Sequence, residues 1–79
     1  MKKIEIYTTK YCGFCQRAKA LLTQKGMAFQ EIPVDTDLEL RRRISEKAGG
    51  FPTVPMVFID DEFVGGYTEL SELEKEGKL

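Results

Sequence analysis

The chain contains no histidine and only two cysteines, and these shortages exclude several functions at once. A structural zinc site takes roughly four nitrogen or sulfur ligands, so one copy of this chain cannot close one from Cys12 and Cys15. A c-type haem attachment needs histidine directly after the second cysteine, where Gln16 stands. Charge of one sign is also lacking. Twelve basic against 13 acidic residues leave a net charge of -1, so no global field draws the protein to nucleic acid or anionic lipid. No apolar run approaches the roughly 20 residues that cross a bilayer. The opening Met1-Lys2-Lys3-Ile4-Glu5-Ile6-Tyr7 has the two lysines of a secretion signal, but Glu5 and the threonines interrupt its apolar stretch. The expectation is a soluble, cytoplasmic protein without nucleic-acid or membrane partners. In that compartment a cysteine pair is more often catalytic or metal-binding than a structural staple.

With 79 residues, the chain has room for one domain, residues 1–79, and none for a second folding unit. Its 42% hydrophobic and 32% charged residues are a globular mixture, neither disordered nor fibrous. Ile4 and Ile6 alternate in a strand predicted over Lys3 to Thr8. Phe14, Cys15, Ala18, Leu21 and Leu22 then recur at helical spacing up to Lys25, and Gly26 supplies a stop. A second strand spans Ala28 to Val34, with Phe29 and Ile32 as core candidates. Pro33 cannot donate to a ladder, which sends this strand to a sheet edge. Thr36 and Glu39 form a capping-box pattern opening a helix with Leu40, Ile44 and Ala48 on one side, ended by Gly49-Gly50.

Val54 to Ile59 is a nearly continuous apolar run, the mark of a central strand covered on both faces. Asp60-Asp61 makes a turn, Glu62 to Val64 returns as its hairpin partner, and a last helix starts near Thr68 with Leu70 and Leu73 inward. The order is βαβαββα. Its front half requires a parallel pair and its tight turn an antiparallel one, so a four-stranded mixed sheet lies between helices in a three-layer α/β/α sandwich.

Cys12-Gly13-Phe14-Cys15 lies where a strand ends and a helix begins, the context in which this spacing reads as redox. Unpaired backbone N–H groups and the positive end of the helix dipole favour thiolate at the first cysteine, the nucleophilic form. Cys12 is therefore the candidate nucleophile and Cys15 its more buried partner; a purely structural disulfide is the competing reading. Lys10 and Arg17 either add positive potential there or are ordinary solvated charges, and Arg41-Arg42-Arg43 is read first as a solvated helix face.

Taken in order, Cys12-Gly13-Phe14-Cys15, Thr53-Val54-Pro55 and Gly65-Gly66-Tyr67-Thr68-Glu69 resemble the glutaredoxins over nearly the whole chain. The resemblance implies the thioredoxin fold and a glutathione-dependent disulfide oxidoreductase. It implies a cis proline at Pro55, with the Val54 backbone pairing to bound peptide. It also implies a glutathione site at Thr53, Val54, Pro55, Gly66, Tyr67, Thr68 and Glu69. There the Thr68 backbone and hydroxyl would receive the γ-glutamyl carboxylate, as at any helix N-terminus, with Thr68 doubling as N-cap and Glu69 facing the α-amino group.

Departures from the commonest family pattern are Gly13-Phe14 for Pro-Tyr, Met56 after Pro55 in place of glutamine, and Thr9 for lysine. Lys10, one step on, is the substitute expected for the glycyl carboxylate. The partners implied are glutathione and disulfide-containing or glutathionylated proteins, ribonucleotide reductase among them, met by a monomer. Two alternatives accompany this reading. One is an electron-donor redoxin served by thioredoxin reductase. The other is a carrier of a 2Fe-2S cluster ligated by Cys12 and glutathione, suggested by the likeness of Cys12-Gly13-Phe14 and Phe51-Pro52-Thr53 to monothiol glutaredoxins, although Cys15 replaces their serine.

Overall fold

Apolar alternation, one apolar run and four turn signals account for most of the architecture in a computed structural model that describes residues 2–79. Met1, counted in the expected domain, lies outside the described residues. Strand β1, Ile4–Thr8, buries every second residue. It runs parallel to β2, Gln30–Pro33, and antiparallel to β3, Met56–Ile59. Strand β4, Glu62–Gly65, pairs antiparallel with β3, and the sheet order is β2-β1-β3-β4. The donor-less Pro33 accordingly sits on an edge strand. The apolar run forms the interior strand β3, with Met56, Val57 and Phe58 all buried. That strand begins two residues after the expected Val54, at the first residue past Pro55, which has no N–H to give a ladder.

Helices α1, Gly13–Gln24, α2, Leu38–Lys47, and α3, Tyr67–Lys75, complete the order βαβαββα. One cluster joins Ile4, Ile6 and Val57 to Ala18 and Leu22 of α1 and Leu70 of α3. A second joins Met56 and Phe58 to Ile44 of α2. The sheet therefore has a core on each face, and the fold is the thioredoxin-like α/β/α sandwich with a four-stranded mixed sheet.

The β3–β4 turn uses two left-handed residues, Asp60 (φ 51°) and Asp61 (φ 68°), as a tight hairpin requires. Asp60 Oδ1 accepts from the Lys3 amide at 2.9 Å, anchoring the turn beside the start of β1.

Three local expectations are corrected. Helix α2 is capped by Asp37, whose Oδ1 accepts from the Leu40 amide at 3.0 Å, and not by Thr36. Either side chain can cap; the chain enters the helix one residue later than the pattern suggested, leaving Glu39 to pair with Arg43. Helix α3 starts at Tyr67 with Gly66 as N-cap, so Thr68 is a helical residue and not the cap. Phe14 does not join the inward stripe of α1: it is 56% exposed, with its ring against that of Tyr67.

Candidate active site

Cys12 is the N-cap of α1, in extended conformation, and its Sγ accepts from the Cys15 amide at 3.0 Å. The first turn of α1 carries no acidic residue, so no side chain of that turn offsets the positive end of the dipole at that sulfur. Cys12 and Cys15 are joined as a disulfide with Cα atoms 5.2 Å apart. Cys12 is partly exposed, whereas Cys15 is fully buried beneath it. Only the first sulfur can be reached from solvent.

The loop before Cys12 is held from outside. The Lys10 amide donates to Asp35 Oδ2 at 3.2 Å, and the Val34 amide donates to the Thr8 carbonyl at 2.8 Å. The link between β2 and α2 thus ties down the link between β1 and α1. Asp35 is a site residue that sequence reading missed, since only the parallel pairing of β1 with β2 brings it near.

On the other side of Cys12, its Sγ lies 3.8 Å from the carbonyl oxygen of Val54, and the Val54–Pro55 bond is cis. A groove of about 220 Å³ opens there. It is lined by all the residues expected to contact the tripeptide except Lys10: Thr53, Val54, Pro55, Gly66, Tyr67, Thr68 and Glu69. Phe14 and Phe51 complete the lining. The Phe14 and Tyr67 rings lie 6.2 Å apart, forming an aromatic wall between the cysteine turn and α3. Phe51 is held by Phe63 at 5.1 Å. Phe14 was read in the inward stripe of the helix and Phe51 in the likeness to monothiol glutaredoxins, and neither as lining this groove, because their place there depends on packing between distant segments.

Two glycines make the groove floor possible. A Cβ on Gly66 would meet the Pro55 carbonyl oxygen at 3.3 Å, so the start of α3 approaches the proline loop closely because Gly66 has no side chain. Gly65 has φ 136°, open only to glycine, and a Cβ there would strike Glu69. Glu69 Oε1 accepts from the Gly66 amide at 2.7 Å, which satisfies one of the free N–H groups at the start of α3.

Lys10 is not brought to this groove. It lines a second hollow of about 350 Å³ with Gln16, Lys19, Glu31 and Asp35 among others. The shift of one residue from the family's lysine position places it elsewhere at the strand end. Within that hollow, Lys19 and the buried Thr8 hydroxyl both donate to Glu31 Oε2, at 2.9 and 2.8 Å. These contacts hold the Glu31 carboxyl below its ordinary pKa, Lys19 first.

Among the described residues no group of three or more histidine, cysteine or acidic side chains could hold a metal ion. A 2Fe-2S cluster at Cys12 would therefore need ligands from outside this chain. Among the same residues no helix is long and apolar enough to cross a membrane.

The glutaredoxin family model matches residues 4–64. A glutaredoxin of Pseudomonas aeruginosa is 48% identical over 79 residues, covering 100% of this chain and 93% of the relative. Glutaredoxin 3 of Escherichia coli is 43% identical over 79 residues, covering 100% of this chain and 94% of that protein. Among solved structures, a buckwheat glutaredoxin–glutathione complex superposes with a TM-score of 0.86 at 31% identity, covering 99% of this chain and 73% of that one.

Proposed function

The chain belongs to the glutaredoxin family, and from that membership we propose that it reduces protein disulfides and glutathione mixed disulfides, with glutathione as its reductant. It is a thiol–disulfide oxidoreductase with Cys12 and Cys15 as its dithiol motif. The observation that carries the glutathione reading is that the exposed sulfur, at the N-cap of α1, borders a groove made by Val54–Pro55 and Gly66–Glu69.

In the reaction, Cys12 thiolate attacks one sulfur of the substrate disulfide. A bond from Cys12 to that sulfur forms as the substrate's own S–S bond breaks, and the electron pair leaves on the other sulfur, which takes up a proton. Cys15 then loses its proton and attacks Cys12 Sγ, releasing the second substrate thiol and leaving the Cys12–Cys15 disulfide. One glutathione thiolate opens that disulfide at Cys12, returning Cys15 to the thiol. A second attacks the glutathione sulfur, giving glutathione disulfide and Cys12 thiolate. Two electrons have passed from two glutathiones to one substrate disulfide.

The groove supports glutathione in chemical terms. The N-terminus of α3, with the Thr68 backbone and hydroxyl, suits the γ-glutamyl carboxylate. The Val54 backbone, beside Cys12, suits pairing with the tripeptide's own backbone. Glu69 keeps one carboxylate oxygen on the Gly66 amide, and its other oxygen is the partner for the α-amino group. For a mixed disulfide with glutathione, Cys12 alone suffices. A reducing cytoplasm is the setting this cycle requires, and residues 1–79 act in it as one domain.

The test compares Cys12→Ser with Cys15→Ser in an assay coupled through glutathione and glutathione reductase to NADPH. Cys12→Ser is expected to be inactive. Cys15→Ser is expected to lose reduction of protein disulfides while still removing glutathione from mixed disulfides. Turnover with thioredoxin reductase and none with glutathione would overturn the choice of reductant.

A further inference from the structure

Between Ile6 and Gln30 the sequence holds four basic residues, Lys10, Arg17, Lys19 and Lys25, and no acidic one, although the whole chain is net -1. Positive charge is thus concentrated on the strand–helix unit that carries Cys12. Lys19 is neutralised by Glu31 at 2.9 Å and Lys25 by Glu74 at 3.7 Å. Among the described residues, Lys10 and Arg17 have no carboxylate at ion-pair distance. Asp35 and Glu31 share a hollow with Lys10, but Asp35 is turned to the Lys10 backbone amide and Glu31 to Thr8 and Lys19.

Each of these two cations instead lies by an exposed ring. Lys10 Nζ is 5.7 Å from the Tyr11 ring centre, and Arg17 Cζ is 5.6 Å from that of Phe14. Tyr11 is 91% and Phe14 56% exposed, and the two bracket Cys12 in the chain. A hollow of about 210 Å³ lies between Gly13, Phe14 and Arg17. Exposed aromatic rings beside unpaired cations are the composition from which interface contacts are built, and complementary charge is what such a surface selects for.

We infer that this face docks protein segments in which carboxylate side chains flank a disulfide, with Lys10 and Arg17 meeting the carboxylates and Tyr11 and Phe14 covering the adjoining apolar surface. The inference rests on the oxidoreductase reading of Cys12 and adds a class of protein substrate to it. Glutathione takes no part in the recognition.

The experiment uses the protein in its dithiol form with excess reductant removed. Two synthetic peptides, each closed by one internal disulfide, differ only in having Glu or Lys beside the cysteines. Single-turnover rates are read by acid quench and mass spectrometry, and each is divided by the same protein's rate with neutral bis(2-hydroxyethyl) disulfide. At low salt the Glu peptide is expected to react about tenfold faster than the Lys peptide. The ratio should fall toward one at about 1 M salt.

Arg17→Glu is expected to shrink the low-salt ratio by about threefold or more, since it places a like charge against the peptide. Lys25→Glu makes the same change in net charge at the far end of α1 and is expected to leave the ratio alone. Equal rates for the two peptides, or equal shifts in both variants, would overturn the inference. So would self-association of the reduced protein in sedimentation velocity, because the face would then belong to a second copy. Failure to react with bis(2-hydroxyethyl) disulfide would instead overturn the oxidoreductase reading itself.

Discussion

Glu69 reaches back over Gly65 to accept the Gly66 amide hydrogen at 2.7 Å, and it can do so only because Gly65 has no side chain in its way. The start of α3 and the floor of the groove beside Cys12 both depend on that arrangement.

Gly65→Ala is therefore expected to lower stability by at least about 2 kcal/mol, from a left-handed conformation closed to alanine together with the collision with Glu69. Glu69→Ala alone should cost about 1 kcal/mol through the lost hydrogen bond. The double variant should lose less than the sum, because removing the Glu69 side chain removes the collision. Urea denaturation of the four proteins measures this, and strict additivity would contradict it.

Reduced Cys12 should alkylate faster than free cysteine at neutral pH, because it caps a helix whose first turn has no acidic residue. Cys15, fully buried, should stay unmodified in the folded protein. Rates of iodoacetamide labelling against pH, with the modified site found by peptide mapping, check both statements. A Cys12 as sluggish as free cysteine at neutral pH would remove the basis for its nucleophilic role.

Asp35→Ala should loosen the loop that leads into Cys12, since the Asp35 carboxylate accepts the Lys10 amide. One hydrogen bond of this kind is worth about 1 kcal/mol, so exchange of the Lys10 amide hydrogen is expected to speed up about fivefold. Nuclear magnetic resonance resolves that amide directly, and unchanged protection would show that the loop is held by other contacts.

Glu31 predicts a pH dependence. Its carboxyl is held below the ordinary 4.5 by Lys19 and Thr8, so folding favours the ionised form. That contribution is complete above 4.5 and is lost as pH falls through the lower folded value. The pair is partly exposed, which limits it to about 0.5 kcal/mol. Glu31→Gln should be less stable than the parent by that amount at pH 7 and indistinguishable from it in strong acid. A stability difference that does not change with pH would refute the ionic origin.

Much of the fold was legible because short-range rules produced it. Ile4 and Ile6 alternate, Pro33 cannot donate, and Asp60-Asp61 tolerates left-handed backbone. These features specified a strand, an edge and a hairpin without knowledge of anything distant. The same rules failed by one or two residues at helix starts. Thr36 and Asp37 are both capping residues, and the choice between them turned on where the chain leaves β2. Likewise Gly66 displaced Thr68 as the cap of α3 because Glu69 folds back to satisfy its amide.

The site divides along the same line. Cys12 and Cys15 were legible as a redox pair because strand end, dipole and spacing all act within a few residues. Phe14, read as core, emerged at the surface against Tyr67, and Lys10, read as a groove residue, faces the hollow beside Glu31 and Asp35. Neither outcome is encoded nearby.

Local patterning, then, settled the kinds of element, their order and the chemistry of the sulfur pair, since each arises from neighbours in the chain. Packing settled which residues share the groove. Its walls come from segments around Cys12, Val54 and Gly66, and these meet only because the sheet takes the order β2-β1-β3-β4 and sets their connecting turns at one end. Contacts between segments so far apart are decided by which faces bury together, a property of the assembled layers and not of any single stretch of sequence.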